Sequence, residues 1–234
     1  MTNEILEKDL ATIVLDLKNR GETERAAFLR DNKDAIISAS FADKLKNASP
    51  QDVIEYLLLL PNDIFVTTLD QFTDIIAEKL SKAPVRVFAR IFNELPKDLR
   101  KQFTSRFMDV IVTYVRGRSM SELLSLIYNL SPPSRPGLLS PIRPYLFGKD
   151  FQEKIIESSL EDLEAFLSVL PGDIRGKLVT QHKDTFLSDE FGRKIEKASS
   201  DEIIKILRWF PKDVYNAFLE KHGEILKQKG LRLE

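Results

Sequence analysis

Apolar residues recur in four columns along this chain, and each column is met five times. The columns are Val53, Phe88, Leu123, Leu163 and Ile203; Tyr56, Ile91, Leu126, Phe166 and Ile206; Leu57, Phe92, Ile127, Leu167 and Leu207; and Leu60, Leu95, Leu130, Leu170 and Phe210. Within each repeat the four columns fall at i, i+3, i+4, i+7, which places all four residues on one face of an α-helix. A single helix would leave that stripe wet, whereas stacked neighbours bury it continuously. The pattern therefore predicts an all-α protein, a right-handed-type α-solenoid of tandem helical repeats.

The polar positions supply the punctuation. An apolar residue, a proline, any residue and an aspartate occur in that order at Leu60-Pro61-Asn62-Asp63, Leu95-Pro96-Lys97-Asp98, Leu170-Pro171-Gly172-Asp173 and Phe210-Pro211-Lys212-Asp213. Proline suits the first turn of a helix and a carboxylate its positive end, so each marks a helix start. One domain over residues 1–234 is expected, with a capping helix in 1–20 and repeats at 21–60, 61–95, 96–130, 131–170 and 171–210. Residues 211–234 form a partial repeat. Each repeat of 35 to 40 residues divides into about three helical pieces. The last piece opens on Ser49, Ser119, Ser159 or Ser199, and Ser119–Glu122 and Ser199–Glu202 fit the reciprocal capping box. Pro84 takes the cap position in the remaining repeat. In the 35-residue repeats the first two pieces are expected to run together. At the end of the chain, 230–234 is expected to fray, and Leu233-Glu234 reads as a cloning remnant.

One stretch departs from this frame. Between Pro132 and Pro144 there are five prolines, and Pro141 and Pro144 would each remove a bond from a helix interior. A kinked or partly unwound element is expected. It is either a plain bend or a loop that presents Arg135, Arg143 and Tyr145.

Composition narrows the function classes. The chain has no cysteine, which excludes disulfides and thiolate chemistry, and only 9 glycines, which argues against phosphate-cradling loops. No basic leader precedes an apolar run, and no apolar run approaches the ~20 residues of a membrane span. A cytoplasmic protein without membrane insertion is expected. The net charge of −1 conceals a balance of −6 over residues 1–80, +8 over 81–149 and −3 over 150–234.

Candidate chemistry is sparse. His182 and His222 lie 40 residues apart, in one column, without a third ligand, and a helix-surface role is expected for both. No histidine–nucleophile constellation is apparent, and most carboxylates sit at helix starts. No catalytic residue, metal or cofactor is assigned. Arg25, Arg100, Arg135 and Arg175 share a position just after an acidic helix start, which suggests ion pairs within the repeat, or else a row that binds anions.

The columns that vary between repeats mark the free surface. They yield Arg90, Asn93, Glu94, Tyr128, Asn129, Lys205, Arg208 and Trp209 as a candidate partner-binding face, with Trp209 either an anchor or packed on the terminal helix. The basic middle offers a competing reading. Arg86, Arg106, Arg116, Arg118, Arg135 and Arg143 would hold phosphates while Tyr114, Tyr128 and Tyr145 stack on bases. The acidic flanks would repel a long polyanion, so a non-catalytic scaffold for a partner protein is the first expectation and a nucleic-acid binder the alternative. Self-association of acidic ends with the basic middle fits the same charges.

Three helical pieces in about 40 residues resemble the armadillo and HEAT class of α-solenoids. The likeness is one of architecture rather than of motif, and the 35-residue repeats depart from the armadillo length. It implies an extended groove for protein ligands and carries no functional residue across.

Overall fold

The computed structural model describes residues 4–231, and among these there are helices but no strand. In chain order they begin with α1 (Glu4–Glu7), α2 (Leu10–Asn19), α3 (Glu22–Asp31), α4 (Lys33–Ile36), α5 (Ala39–Asn47), α6 (Pro50–Leu59), α7 (Asn62–Gln71) and α8 (Thr73–Ser81). Next come α9 (Val85–Glu94), α10 (Lys97–Arg106), α11 (Met108–Arg116), α12 (Met120–Tyr128), a short 3-10 turn (Pro132–Ser134), α13 (Arg135–Leu146) and α14 (Asp150–Glu157). The last are α15 (Leu160–Val169), α16 (Gly172–Gln181), α17 (Lys183–Phe186), α18 (Asp189–Lys197), α19 (Ser200–Leu207) and α20 (Lys212–Gln228). Each helix packs on neighbours near in sequence, which is the all-α helical-repeat architecture of the α-solenoid class. The chain divides into two compact units, residues 1–114 with 129–141, and residues 115–128 with 142–234.

In the first unit the third helices of successive repeats lie side by side, α2 on α6 and α6 on α9. In the second unit α12 lies on α15 and α15 on α19. Every residue of the four apolar columns is buried, with Phe210 the most exposed at 9%. The punctuation residues take fixed places. Pro61, Pro96, Pro171 and Pro211 are N-caps with extended ψ of 143 to 153°, so proline sits just ahead of the first turn and the aspartate falls within it. Each proline carbonyl accepts the amide four residues on, as Phe65 N–H does to Pro61 O at 2.8 Å. Both expected capping boxes form, at Ser119–Glu122 and Ser199–Glu202.

Four local expectations need correction. The N-terminal cap is two helices rather than one, because Asp9 starts α2 by accepting the Thr12 amide. In the 35-residue repeats the first two helices stay distinct, divided at Phe72 and Phe107, whose backbones (φ −122° and −104°) leave the helical range for one residue. What the longer repeats at 21–60 and 171–210 add is the one-turn helix, α4 or α17, followed by a serine cap.

The proline-rich stretch is an unbroken helix, α13, after its 3-10 turn. Leu138, Leu139, Ile142, Tyr145 and Leu146 are all buried, and that apolar stripe outweighs the two bonds lost at Pro141 and Pro144. Gly230 ends α20 in a Schellman motif. Its φ is +72°, its amide reaches Lys227 O, and the Leu231 amide reaches Leu226 O. The expectations for Leu233 and Glu234 lie outside the described residues.

One contact recurs through both units. Lys44, Lys79, Tyr114, Lys154, Lys194 and Lys229 occupy one column, and each donates to a carbonyl at or just beyond the C-terminal end of a middle helix, or its counterpart, in the preceding repeat. Lys79 bonds Lys46 O at 2.5 Å and Ala48 O at 2.7 Å. Tyr114 bonds Ala83 O at 2.8 Å, and Lys229 bonds Ala198 O at 2.7 Å. These carbonyls have no partner within their own helix and lie at its negative end, so a cationic or hydroxyl donor is what they call for.

Candidate interaction surface

The face left open by the stacking of third helices holds most of the predicted partner-binding residues, but much of it is already engaged. In the first unit Arg90 pairs with Glu94 at 2.6 Å and with Glu55 at 3.0 Å, and Lys18 pairs with the same Glu55. The Lys18 ammonium, with Gln51 and Arg90, holds the Glu55 carboxyl below its ordinary value despite burial. Asn93 donates to Asn129 O at 2.8 Å and accepts the Ser131 amide at 2.9 Å. Arg90, Asn93 and Asn129 thus tie repeats together along a polar ladder, with Glu94 holding Arg90 from within α9.

In the second unit the Trp209 indole N–H donates to Glu164 at 3.0 Å, and the Arg175 guanidinium covers its ring at 4.1 Å. Arg208 reaches Glu164 at 3.7 Å. Glu164 of the preceding repeat and Arg175 therefore set the indole's orientation, a role for both that the sequence did not single out. Tyr128 at 59% and Ile204 at 53% are the most exposed large apolar residues of this unit. Tyr128 and Arg208 share a column, and Ile204 lies one turn before Arg208 on α19. Lys205 is exposed beside it. The sequence does not mark Ile204 as surface, because its column of Ile54, Ala89, Leu124, Glu164 and Ile204 is mostly apolar.

Several arginines of the basic middle are paired with carboxylates. Arg116 pairs with Asp150 at 3.0 Å, Arg118 with Glu122 at 3.2 Å, Arg143 with Asp173 at 3.3 Å, and Arg106 with Asp70. Arg86 is exposed, and Arg135 is half-buried with its Nε enclosed. Two of the three expected base-stacking tyrosines are inside. Tyr114 stacks on Phe88 at 4.0 Å, and Tyr145 packs edge-on against Phe151 at 5.5 Å, its hydroxyl pushed up to about 12 by burial. The Pro132–Pro144 stretch presents Arg143 but not Tyr145.

The arginine column also behaves differently from expectation. Arg100 donates to Phe92 O and, at 3.1 Å, to Ser134 Oγ, passing over Gly137, where a Cβ would come within 3.1 Å of it. Arg175 reaches Leu167 O at 3.5 Å. Both arginines cap the helix eight residues behind them rather than pair with the acidic start. His182 and His222, expected on the surface, are 1% and 3% exposed.

No group of His, Cys, Asp and Glu placed to hold a metal occurs among the described residues, and none of their helices is long and apolar enough to cross a membrane. The larger cavities are grooves between repeats. One of about 750 Å³ lies between α7 and α10, over Val66, Leu69, Lys101 and Arg106. These features define a helical-repeat protein with an exposed third-helix face. Set against protein-family models, curated proteins and solved structures, the chain finds no match.

Proposed function

We propose that this protein is a non-catalytic scaffold that holds a partner protein along the third-helix face of its second unit. The observation that carries this reading is the exposure of Tyr128 on α12 and of Ile204 on α19, the latter flanked by Lys205, Arg208 and the oriented Trp209. Apolar and aromatic side chains ringed by cations suit a protein ligand better than a polyanion. The pairing of Arg90, Arg106, Arg116, Arg118 and Arg143 with carboxylates weighs against nucleic acid. Likeness to armadillo and HEAT solenoids carries the same implication, and a chain without cysteine suits the cytoplasm.

The test is quantitative affinity capture with the wild type and a Tyr128→Ala/Ile204→Asp variant that keeps its helical circular dichroism. The reading predicts a discrete set of proteins held by the wild type and lost from the variant. Equal recovery on both would remove it.

A further inference from the structure

His182 and His222 occupy equivalent places in successive repeats and make the same contact. The Nε2–H of His182 donates to Leu146 O at 2.7 Å, and that of His222 to Phe186 O at 3.0 Å, each acceptor lying 36 residues back. A carbonyl only accepts, so both rings carry a proton on Nε2, and the enclosed, partnerless Nδ1 of His182 leaves that ring neutral. The His182 ring lies against Phe151, with its Nδ1 enclosed and without a partner. The His222 ring lies against Phe218 at 4.7 Å and over Gly192, where a Cβ would come within 3.2 Å of it.

From these contacts we infer that the two imidazoles form a proton-operated joint, in which acidification loosens the junction of α16 and α17 from α13 and α14 at His182, and α20 from α17 and α18 at His222. A second proton has to enter at Nδ1. At His182 that N–H would be buried without an acceptor, and the cation would sit among aromatic rings in place of water. The groups acting on each ring agree with this direction. His182 is governed by burial, which lowers its proton affinity, opposed by the Leu146 carbonyl. His222 is likewise lowered by burial, with the Phe186 carbonyl opposing. The Lys221 ammonium adds to the lowering and the Asp189 carboxylate on α18 counters it, those two being paired at 2.8 Å. A folded-state value below the unfolded one means that the unfolded chain binds more protons. The stability the neutral rings contribute is therefore complete above about pH 6.5 and is lost as pH falls through the folded value.

Native-state hydrogen exchange at about pH 7.5 and about pH 5 tests this, after correction for intrinsic rates. Protection across 172–231 should be partly lost in the wild type at the lower pH, because a ring that binds its proton more tightly once released favours opening in acid. In a His182→Gln/His222→Gln variant, whose amides donate without titrating, protection should stay level. Equal pH dependence in both proteins would overturn the inference. Imidazole titration by NMR in the wild type gives a readout independent of any variant. Both rings should titrate below the ordinary histidine value, and titration at or above it would also overturn the joint.

Discussion

A lysine that reaches across to the repeat before it is the smallest unit of order in this protein. At the position of Lys44, Lys79, Lys154, Lys194 and Lys229 an ammonium meets backbone carbonyls, and in one repeat Tyr114 does the same with a hydroxyl. The Lys194 ammonium shows the cost of this placement, burial drawing its value down to about 8. Tyr114→Phe keeps the ring stacked on Phe88 but strips the donor from Ala83 O. It should cost about 1–2 kcal/mol in denaturant unfolding, with little change in the slope of the transition. Gly176, inside α16, has nothing within 4 Å of a built Cβ. Gly176→Ala should therefore raise stability by about 0.5–1 kcal/mol through helix propensity and a less flexible unfolded chain. In the sequence Lys154 and Lys194 lie 40 residues apart, one repeat length, but that spacing does not say what they bond. A repeated cation looks the same whether it faces water or a helix end.

At the scale of the element, sequence was most legible where one local rule acted alone. Serine followed three residues later by glutamate predicted the caps of α12 and α19, and both formed. Ser199→Ala should lower stability by about 1 kcal/mol, read as a shift in the unfolding midpoint. Legibility failed where a local rule met tertiary packing. The prolines of α13 argued for a kink or partial unwinding, yet the helix is nowhere unwound from Arg135 to Leu146, held by the buried stripe from Leu138 to Leu146. Pro144 is exposed there, and Pro144→Ala restores an amide able to reach the Ser140 carbonyl. That variant should be more stable by about 1 kcal/mol, the regained bond exceeding the entropy returned to the unfolded chain.

At the scale of the whole molecule, charge counted along the chain differs from charge in space, where side chains pair. The excess of +8 in residues 81–149 looked like a phosphate-binding surface. Arg106, Arg116 and Arg143 are instead met by Asp70, Asp150 and Asp173, all three of which lie outside that segment. Tyr114 and Tyr145, read as exposed, are core residues. The variable columns do hold exposed residues at Tyr128, Lys205 and Arg208. They could not show that Asn93 and Arg90 link repeats. Fluorescent single- and double-stranded oligonucleotides should accordingly show no binding tighter than about micromolar at physiological salt.

Site-specific photo-crosslinking bears most directly on the scaffold reading. A crosslinker would be placed at position 204, on the third-helix face, and in a second protein at exposed Glu196 on α18. The account predicts a discrete protein adduct from position 204 that is weakened by Trp209→Ala, and none of that mass from position 196. Adducts to nucleic acid, or the same protein adducts from both positions, would contradict it.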